Sequence, residues 1–281
     1  MITGASSGLG LQTAIALAPL GPRLYLVGRD AERTREAAAA VSESSGNDDV
    51  HVLLADLSSL GQVRTLADEF LAGADQLDVL VNNAGAVFGF RRALSEDGIE
   101  MTFALNHLAY FALTLLLLPR MREGSPARVI NVTGDSYKDA KGRFDFSNYN
   151  ADVRYRPIRQ YAQSKLANIL FTRELARRTD SSTVTVNAAG PSRTTATRFA
   201  HSVHPLAKVA MRLASPFLLS PERGAEPIVH LCVSPQLEAV TGTYWSGMKQ
   251  PELTDAATND DDAARLWRLS AELTGIDMPT T

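Results

Sequence analysis

The sequence predicts an α/β fold in which a doubly wound parallel sheet carries helices on both of its faces. Short apolar strands alternate with amphipathic helical segments along all 281 residues, and this alternation is typical of parallel sheets. The strands are nearly continuous in apolar, often β-branched residues, as expected when helices cover both faces. No internal repeat and no linker is visible. We therefore expect residues 1–281 to form a single domain.

Each element can be placed from its periodicity and its end signals. Strands are predicted at residues 1–2 (a stub), 23–27, 51–54, 77–81, 128–132, 183–188 and 242–245. Helices are predicted from the end of the turn at residue 10 to residue 18, at 31–41, from a cap at 58 or 59 to about 72, at 99–121, around 160–165, and at 206–219, 222–233 and 260–274. Asp30 is expected to cap the second helix, and either Ser58 or Ser59 the third. Residues 133–159 are expected to form a polar loop.

The composition excludes several classes of protein. Hydrophobic residues make up 45% and charged residues 21% of the chain, and the formal net charge of -3 gives no sign of nucleic-acid binding. The single cysteine, Cys232, excludes an internal disulfide framework and fits a reducing compartment. The longest apolar run, residues 111–118, is too short for a membrane span and predicts a buried helix. No His/Cys cluster has metal-ligand spacing, so we predict no metal. The single cysteine and the lack of a visible signal peptide predict a cytoplasmic protein.

The first predicted strand runs directly into a glycine-rich turn, Thr3-Gly4-Ala5-Ser6-Ser7-Gly8-Leu9-Gly10. Glycines at such a junction permit positive φ and a close approach of the backbone to a ligand. The backbone N–H groups and the helix N-terminus are then suited to a pyrophosphate. A tight turn without a ligand is the alternative. The position of this turn, at the first strand–helix junction, favours a Rossmann-like dinucleotide-binding fold.

Arg29 follows the second predicted strand, where the choice between the two nicotinamide dinucleotides is usually made. A carboxylate at this point would hydrogen-bond the ribose hydroxyls, whereas a guanidinium suits a 2′-phosphate through charge-assisted bonds. We therefore predict NADP(H) as the cofactor. The alternative is that Arg29 is a solvated turn residue.

A tyrosine and a lysine stand four residues apart in Gln160-Tyr161-Ala162-Gln163-Ser164-Lys165. On a helix, two residues at this spacing lie on one face, one turn apart. An ammonium beside a phenol favours the phenolate and lowers its pKa from the usual value of about 10. Tyr161 is then expected to exchange a proton with a carbonyl or alcohol oxygen near neutral pH. Taken alone, the spacing also fits a solvated helix face without a chemical role.

Together with other segments, these motifs resemble the short-chain dehydrogenase/reductase family, and most of all its retinol-dehydrogenase-like branch. The matching residues are Thr3-Gly4-Ala5-Ser6-Ser7-Gly8-Leu9-Gly10, Asp56-Leu57, Asn82-Asn83-Ala84-Gly85, Asn106, Tyr161 with Lys165, Gly242-Thr243-Tyr244 and Ala264-Arg265-Leu266-Trp267. Their order and spacing match from Met1 to about Gly275. The resemblance implies a nicotinamide dinucleotide cofactor in an oxidoreductase.

The resemblance also implies roles for individual residues. Tyr161 would be the general acid/base, Lys165 would lower its pKa and bind the nicotinamide ribose, and Asn106 would hold a water of the proton relay. The residues implied in cofactor binding are Gly4, Ser6, Ser7, Gly8, Leu9, Gly10, Arg29, Asp56, Leu57, Asn83, Ala84, Gly85, Tyr161, Lys165, Pro191, Ser192 and Thr194. His107 is expected to pack or to face another subunit.

Two positions depart from the family pattern. The family has a serine two residues after the strand at 128–132, and its hydroxyl fixes the substrate oxygen beside the tyrosine. This chain has Gly134 there, so we expect Ser136 or Thr133 to supply the hydroxyl, and we favour Ser136. Losing one aligned hydrogen bond in a transition state costs about 3 kcal/mol, roughly a hundredfold in rate. The second departure is Ser192, where the family has a glycine beside the nicotinamide.

Residues 190–225 are expected to cover the substrate. The segment is rich in apolar side chains, among them Phe199, Met211 and Phe217, which favour a bulky lipophilic or polycyclic carbonyl over a sugar. The alternative is that these side chains only cover the sheet.

These observations predict an NADP(H)-dependent oxidoreductase, a ketoreductase that interconverts a carbonyl and an alcohol on a lipophilic small molecule. Hydride would pass between nicotinamide C4 and a substrate carbon, with Tyr161 handling the proton. One alternative is the same fold used for isomerisation, elimination, hydrolysis or cyclisation, because Gly134 replaces the usual serine. Another is a binding protein that has lost its activity. The resemblance also suggests a homodimer or homotetramer. The net charge predicts no nucleic-acid partner, and the lack of a long apolar run predicts no membrane span.

Overall fold

A computed structural model of the chain describes residues 1–123, 126–191 and 219–278. In these residues the strands are β1 (Ile2–Thr3), β2 (Leu24–Gly28), β3 (Val50–Leu54), β4 (Val79–Asn82), β5 (Ala127–Val132), β6 (Val184–Gly190) and β7 (Tyr244–Ser246). All seven are parallel and form one sheet in the order β3-β2-β1-β4-β5-β6-β7. The strand order reverses between β1 and β4, and ligands bind such sheets outside the carboxyl ends at this point.

The helices lie on both faces of the sheet. They are α1 (Gly8–Leu17), α2 (Ala31–Ser45), α3 (Leu60–Gly73), α4 (Met101–Arg122), α5 (Pro157–Arg178), α6 (Pro221–Val233), α7 (Asp255–Thr258) and α8 (Asp260–Thr274). Helices α1, α2 and α6 bury their apolar side chains against one face. Helices α3, α4 and α5 pack against the other, and α8 packs on the outer side of α5. The predicted doubly wound sheet is therefore confirmed.

Capping side chains set the starts of two helices. The Asp30 carboxylate accepts the backbone N–H of Arg33 at 3.0 Å, as predicted for the start of α2. The Ser59 hydroxyl accepts the backbone N–H of Gln62 at 3.5 Å, so Ser59, and not Ser58, caps α3. The predicted loop at 133–159 is more ordered than expected. It contains a short 3₁₀ helix, Asp135–Ala140, and α5 already begins at Pro157.

Helix α4 is the only helix among the described residues that is both long and apolar enough to resemble a membrane span. By length and composition it could span a membrane, but 83% of its apolar window is buried inside the fold. Tyr110, Phe111 and Leu117 are each no more than 1% exposed. The prediction that residues 111–118 form a buried helix is therefore confirmed. The other predicted apolar helix, at 206–219, lies almost wholly outside the described residues.

Candidate active site

The loops after β1, β2, β3 and β4 meet in a cleft of about 630 Å³. This volume is within the usual range for small-molecule sites. Eleven of the residues predicted to bind a cofactor line it: Gly4, Ser6, Ser7, Gly8, Leu9, Arg29, Asp56, Leu57, Asn83, Ala84 and Gly85. Sequence reasoning missed Arg33, Val87, Phe88 and Leu105, which also line it. The cleft therefore lies at the crevice that the sheet topology indicates.

The glycine-rich turn has the conformation that its sequence predicts. Gly4 and Gly8 have φ values of 64° and 60°, which residues that carry a side chain rarely adopt. A Cβ on Gly4 would lie 2.8 Å from the Cα of Ala84. A Cβ on Gly10 would lie 2.5 Å from Asn83 Nδ2, so Gly10 permits close packing and does not line the cleft. The turn is thus a cradle of backbone at the start of α1, which fits a pyrophosphate.

Hydrogen bonds between the loops after β1 and β4 hold this cradle in place. The Thr3 hydroxyl accepts the backbone N–H groups of Asn83 at 2.8 Å and Ala84 at 3.0 Å. The Asn83 amide donates to the carbonyl oxygens of Thr3 at 2.7 Å and Gly4 at 3.2 Å. The side chain of Asn83 therefore hydrogen-bonds the turn. Because these bonds lie within the protein, the cradle is formed without a ligand.

Arg29 lies at the outer edge of the cleft, with 74% of its side chain exposed. Its guanidinium contacts the Asp56 carboxylate at 3.4 Å. Burial raises the pKa of Asp56, but hydrogen bonds from Ser58 and the Arg29 charge bring that pKa below its ordinary value. Arg33, in the first turn of α2, adds a second guanidinium to the same lining. Two cations beside the end of β2 fit an additional phosphate on the ribose.

Tyr161 and Lys165 lie on one face of α5, as their spacing predicts. Lys165 Nζ is 5.4 Å from the centroid of the Tyr161 ring. Lys165 is 2% exposed, and its ammonium donates to the carbonyl oxygen of Val132, at the end of β5, at 3.1 Å. It lies 3.7 Å from the position that a Cβ on Gly85 would take. This lysine thus reaches from α5 to the ends of β4 and β5.

The two pKa values differ from the prediction. Burial raises the pKa of Tyr161 above its ordinary value, and only a hydrogen bond with Ser136 lowers it. Burial also lowers the pKa of Lys165 to about 8. The expectation of a lowered pKa at Tyr161 is therefore wrong for this arrangement. Loss of water destabilises the phenolate more than an ammonium at this distance stabilises it.

The loop after β5 shows where the hydroxyl groups lie around Gly134. The Thr133 hydroxyl donates to the backbone carbonyl of Lys165 at 2.9 Å, whereas Ser136 hydrogen-bonds Tyr161. A Cβ on Gly134 would lie 3.9 Å from the Ser136 Oγ. The Ser136 hydroxyl is thus close to the space that a side chain at position 134 would enter. Gly134 is extended, with φ of 172°, so its backbone does not require glycine.

Strand β7 holds the same loop through Asp135, a residue that sequence reasoning missed. The Asp135 carboxylate accepts the Tyr244 hydroxyl at 3.1 Å and the Ser246 hydroxyl at 2.7 Å. Gly190, at the end of β6, lies directly against the loop, because a Cβ there would meet the Thr133 carbonyl oxygen at 2.5 Å. The place of Ser136 therefore depends on three strand ends. The sequence did contain a signal for this contact, because Gly242-Thr243-Tyr244 is one of the segments that match the family.

Asn106 is fully buried in a π-helical turn of α4, Ala104–Leu108. Its amide nitrogen donates to Ala86 O at 3.0 Å and to Ser164 Oγ at 3.1 Å, and its amide oxygen accepts the Ala86 N–H at 2.9 Å. The side chain thus ties the wall of the cleft to α5. Such π-turns occur frequently at functional sites.

His107 packs in the interior, as one of the two predictions for it states. Its Nδ1 lies 3.2 Å from Asn168 Oδ1 on α5, and its Nε2 lies 2.9 Å from Ser270 Oγ on α8. Burial lowers the pKa of His107 to about 4, so the ring is neutral at neutral pH. It therefore joins three helices and takes no direct part in the cleft.

Some of the predicted cofactor and substrate residues lie outside the described parts of the chain. Pro191 ends the described part of β6 and its loop, but Ser192 and Thr194 lie outside the described residues. So do Phe199, Met211 and Phe217 of the predicted substrate cover. Within 1–123, 126–191 and 219–278, no group of three or more His, Cys, Asp or Glu side chains could hold a metal ion.

Comparison with known proteins identifies the family. Residues 1–206 match the short chain dehydrogenase family. The chain belongs to this family. It is 40% identical to retinol dehydrogenase 14 of Mus musculus, over 98% of this chain and 85% of the relative. The predicted retinol-dehydrogenase-like branch is therefore confirmed.

Two solved structures extend the likeness to three dimensions. An uncharacterized protein from Mycobacterium paratuberculosis is 32% identical, with a TM-score of 0.76 over 99% of this chain and 94% of that one. The RhlG protein of Pseudomonas aeruginosa, solved as an NADP active-site complex, is 28% identical, with a TM-score of 0.67 over 87% and 92% of the two chains. The chain is thus an oxidoreductase enzyme whose family uses a nicotinamide cofactor, and its preformed cleft fits such a group.

Proposed function

We propose that the protein is an NADP(H)-dependent oxidoreductase that interconverts a carbonyl and an alcohol on a bulky lipophilic molecule. The observation that carries this proposal is the group formed by Tyr161, Ser136 and Lys165 beside the cleft. The relatives named retinol dehydrogenases support the substrate class, because retinol is a lipophilic alcohol. The direction of the reaction would follow from the substrate and the cofactor ratio.

Different residues of the cleft would bind different parts of the cofactor. The turn at Gly4 and Gly8 would bind the pyrophosphate. Asp56 would contact the adenine amino group, as the family resemblance implies. Arg29 and Arg33 would bind the 2′-phosphate, which supports NADP(H) over NAD(H). Among the described residues, Lys165 Nζ has one hydrogen-bond acceptor, Val132 O, for its three donors. This supports a further bond to the ribose hydroxyls. A bound nicotinamide would supply or accept the hydride.

The side chains of this protein would manage the proton and the substrate oxygen. Tyr161 would donate a proton to the oxygen of a carbonyl, or take one from an alcohol. Ser136 would hold the same oxygen and would favour the phenolate through its hydrogen bond. Lys165, with a pKa of about 8, would be mostly charged at neutral pH and would add to this effect. Ser136 thus takes the role that the family gives to a serine at position 134.

A turnover assay tests this proposal. Protein is mixed with NADPH and a panel of lipophilic ketones and aldehydes, and the absorbance of the reduced nicotinamide is followed. NADPH should be consumed with at least one class of substrate, and Tyr161→Phe should abolish the consumption. Product formed without NADPH turnover would instead support non-redox chemistry. Thermal stabilisation by NADPH with no product across the panel would support a binding protein.

A further inference from the structure

Two surface segments beside the mouth of the cleft are joined to each other. The Tyr155 hydroxyl donates to the carbonyl oxygen of Gly89 at 2.9 Å. Arg92 Nε donates to the carbonyl oxygen of Asn150 at 2.8 Å, and its guanidinium also pairs with Asp152. Residues 89–94 and 150–159 therefore form one surface, which we call the rim.

The rim borders the proposed active site on two sides. Val87 and Phe88, which line the cleft, lead directly into its first segment. Its second segment enters α5, which carries Tyr161 three residues after Ile158. Whatever binds the rim therefore lies beside the place where substrate would react.

The rim exposes apolar side chains to an unusual degree. Phe90 is 75% exposed, Val153 84% and Ile158 65%, and Leu94 is 45% exposed. These are four of the eight large hydrophobic side chains that are exposed in the described parts of the chain. Scattered apolar side chains are normal on a protein surface, but their concentration at one place indicates an interaction site.

The same surface is strongly basic. Its two segments contain five arginines and one aspartate, a local charge of +4 in a chain whose net charge is -3. Arg154, Arg156 and Arg159 line one shallow depression. Arg159 contacts Asp145 at 3.4 Å, whereas Arg154 and Arg156 are without an ion-pair partner among the described residues. These guanidinium groups are available to an anion.

We propose that the rim docks the protein on the surface of an anionic lipid bilayer. Exposed apolar side chains would enter the interface, and the arginines would contact lipid phosphates. A free phosphate would use the arginines but not Phe90, Val153 and Ile158. Docking would bring the mouth of the cleft to the phase in which a lipophilic substrate dissolves. This last consequence rests on the proposed function, but the docking itself does not.

Vesicle sedimentation tests the docking without cofactor or substrate. The full chain is mixed with vesicles of phosphatidylcholine alone, or of phosphatidylcholine with phosphatidylserine, at low and high salt. We expect clear binding to the anionic vesicles, and at least tenfold weaker binding to neutral vesicles or at high salt. Each arginine near such a surface contributes about fivefold to partitioning. Arg154→Glu with Arg156→Glu should therefore weaken binding by well over tenfold.

Serine substitutions separate the rim from general surface effects. Phe90→Ser with Ile158→Ser should weaken vesicle binding at least tenfold. Leu20→Ser is the matched control, because Leu20 is 65% exposed like Ile158 but lies at the amino ends of the strands. It should bind vesicles like the unchanged protein. Melting temperatures show that each variant is folded.

Three results would overturn the proposal. The first is no binding to anionic vesicles, and the second is rim variants that bind like the unchanged protein. The third is loss of vesicle binding at millimolar inorganic phosphate when sodium chloride of the same ionic strength has no effect. The last result would show a site for free phosphate. Since the assay needs no turnover, an inactive protein that still docks would refute the proposed function and leave the docking intact.

Discussion

Two effects shift the pKa of Tyr161 in opposite directions. Burial raises its pKa, and the hydrogen bond with Ser136 lowers it. Lys165 Nζ, 5.4 Å from the ring centroid, has itself lost water and has a pKa lowered to about 8. The hydroxyl of Ser136 is therefore expected to matter to the chemistry as much as the lysine does.

Removing the Ser136 hydroxyl should slow turnover and change its pH dependence. In Ser136→Ala we expect kcat to fall about a hundredfold, the usual effect of losing one aligned hydrogen bond in a transition state. Because that bond lowers the pKa of Tyr161, its loss raises this pKa further. Alcohol oxidation needs the phenolate, so the midpoint of its kcat–pH profile should move to higher pH. Steady-state rates at several pH values measure both effects.

A second substitution serves as the rescue. Gly134 has room for a side chain near the Ser136 Oγ and an extended backbone, so Gly134→Ser should restore much of the lost rate in Ser136→Ala. Ser147→Ala, which changes an exposed serine of the same loop, is the control and should leave kcat unchanged. Full activity in Ser136→Ala would contradict the role assigned to this hydroxyl.

Arg29 is the residue expected to decide between the two dinucleotides. In Arg29→Ala, the Kd for NADPH should rise by tenfold or more, because a charge-assisted bond to the 2′-phosphate is lost. The Kd for NADH should change far less, since NADH lacks this phosphate. Titrations followed by nicotinamide fluorescence measure both constants. Arg35→Ala, on the exposed side of α2, should alter neither, and equal weakening of both cofactors in Arg29→Ala would defeat the assignment.

At the scale of elements, β7 supports the loop after β5, which carries Ser136. Tyr244 and Ser246 donate to the Asp135 carboxylate, and Asp135 adjoins the serine that contacts Tyr161. Thr133, Gly190 and the buried side chain of Tyr137 also hold the loop after β5, but these two hydrogen bonds are the ones that fix Asp135, the neighbour of Ser136. Support from a strand two places away in the sheet would keep Ser136 beside Tyr161, as the role proposed for this serine requires.

Removing both hydroxyl donors of β7 should lower activity without loosening the cofactor. Tyr244→Phe with Ser246→Ala keeps the shape of the strand but leaves Asp135 without these two partners. We expect kcat to fall about tenfold, and the Kd for NADPH to stay within twofold, because the loops after β1 to β4 are unchanged. Restoring Ser246 alone should recover part of the rate. A parallel loss of NADPH binding would indicate general disruption instead.

His107 joins helices α4, α5 and α8, and it should make the fold sensitive to acid. Its pKa is about 4 in the folded chain, against an ordinary value of 6.5. The unfolded chain therefore binds the proton first, and stability should fall as the pH drops from 6.5 to about 4. The loss amounts to about 3 kcal/mol in the free energy of unfolding.

Urea unfolding at pH 7 and pH 4.5 measures this loss. In His107→Gln the decrease between the two pH values should be smaller than in the unchanged protein, whatever the stability of the variant at pH 7. His51→Gln is the control. His51 pairs with Asp49 at 2.6 Å on the surface, where such pairs contribute little to stability, so this variant should keep most of the decrease. An equal decrease in His107→Gln and the unchanged protein would exclude His107 as the source.

For the molecule as a whole, the sequence alone was enough to predict the fold and the place of the cleft within it. The alternation of strands and helices predicted the sheet, and the turn at Gly4 and Gly8 predicted the cradle. These features are local, because a turn or a helix face depends on residues a few positions apart. The family resemblance then brought distant segments into one site.

The remainder depends on contacts that no local pattern contains. Ser136 and Tyr161 are 25 positions apart in the sequence. Tyr244 and Asp135, which share a hydrogen bond, are 109 positions apart. The direction of the pKa shift at Tyr161 follows from burial, and helical spacing carries no information on burial. Spacing therefore predicted which residues meet but gave the wrong pKa direction.

Transfer of deuterium from labelled cofactor tests the central claim most directly. NADPH carrying deuterium at nicotinamide C4, on the face that is transferred, is incubated with protein and the best lipophilic carbonyl of the panel. The product alcohol is analysed by mass spectrometry. The proposed function predicts one deuterium on the carbinol carbon of the product, and none in a Tyr161→Phe reaction run for the same time. Product that forms without deuterium from either face of the labelled ring would contradict it.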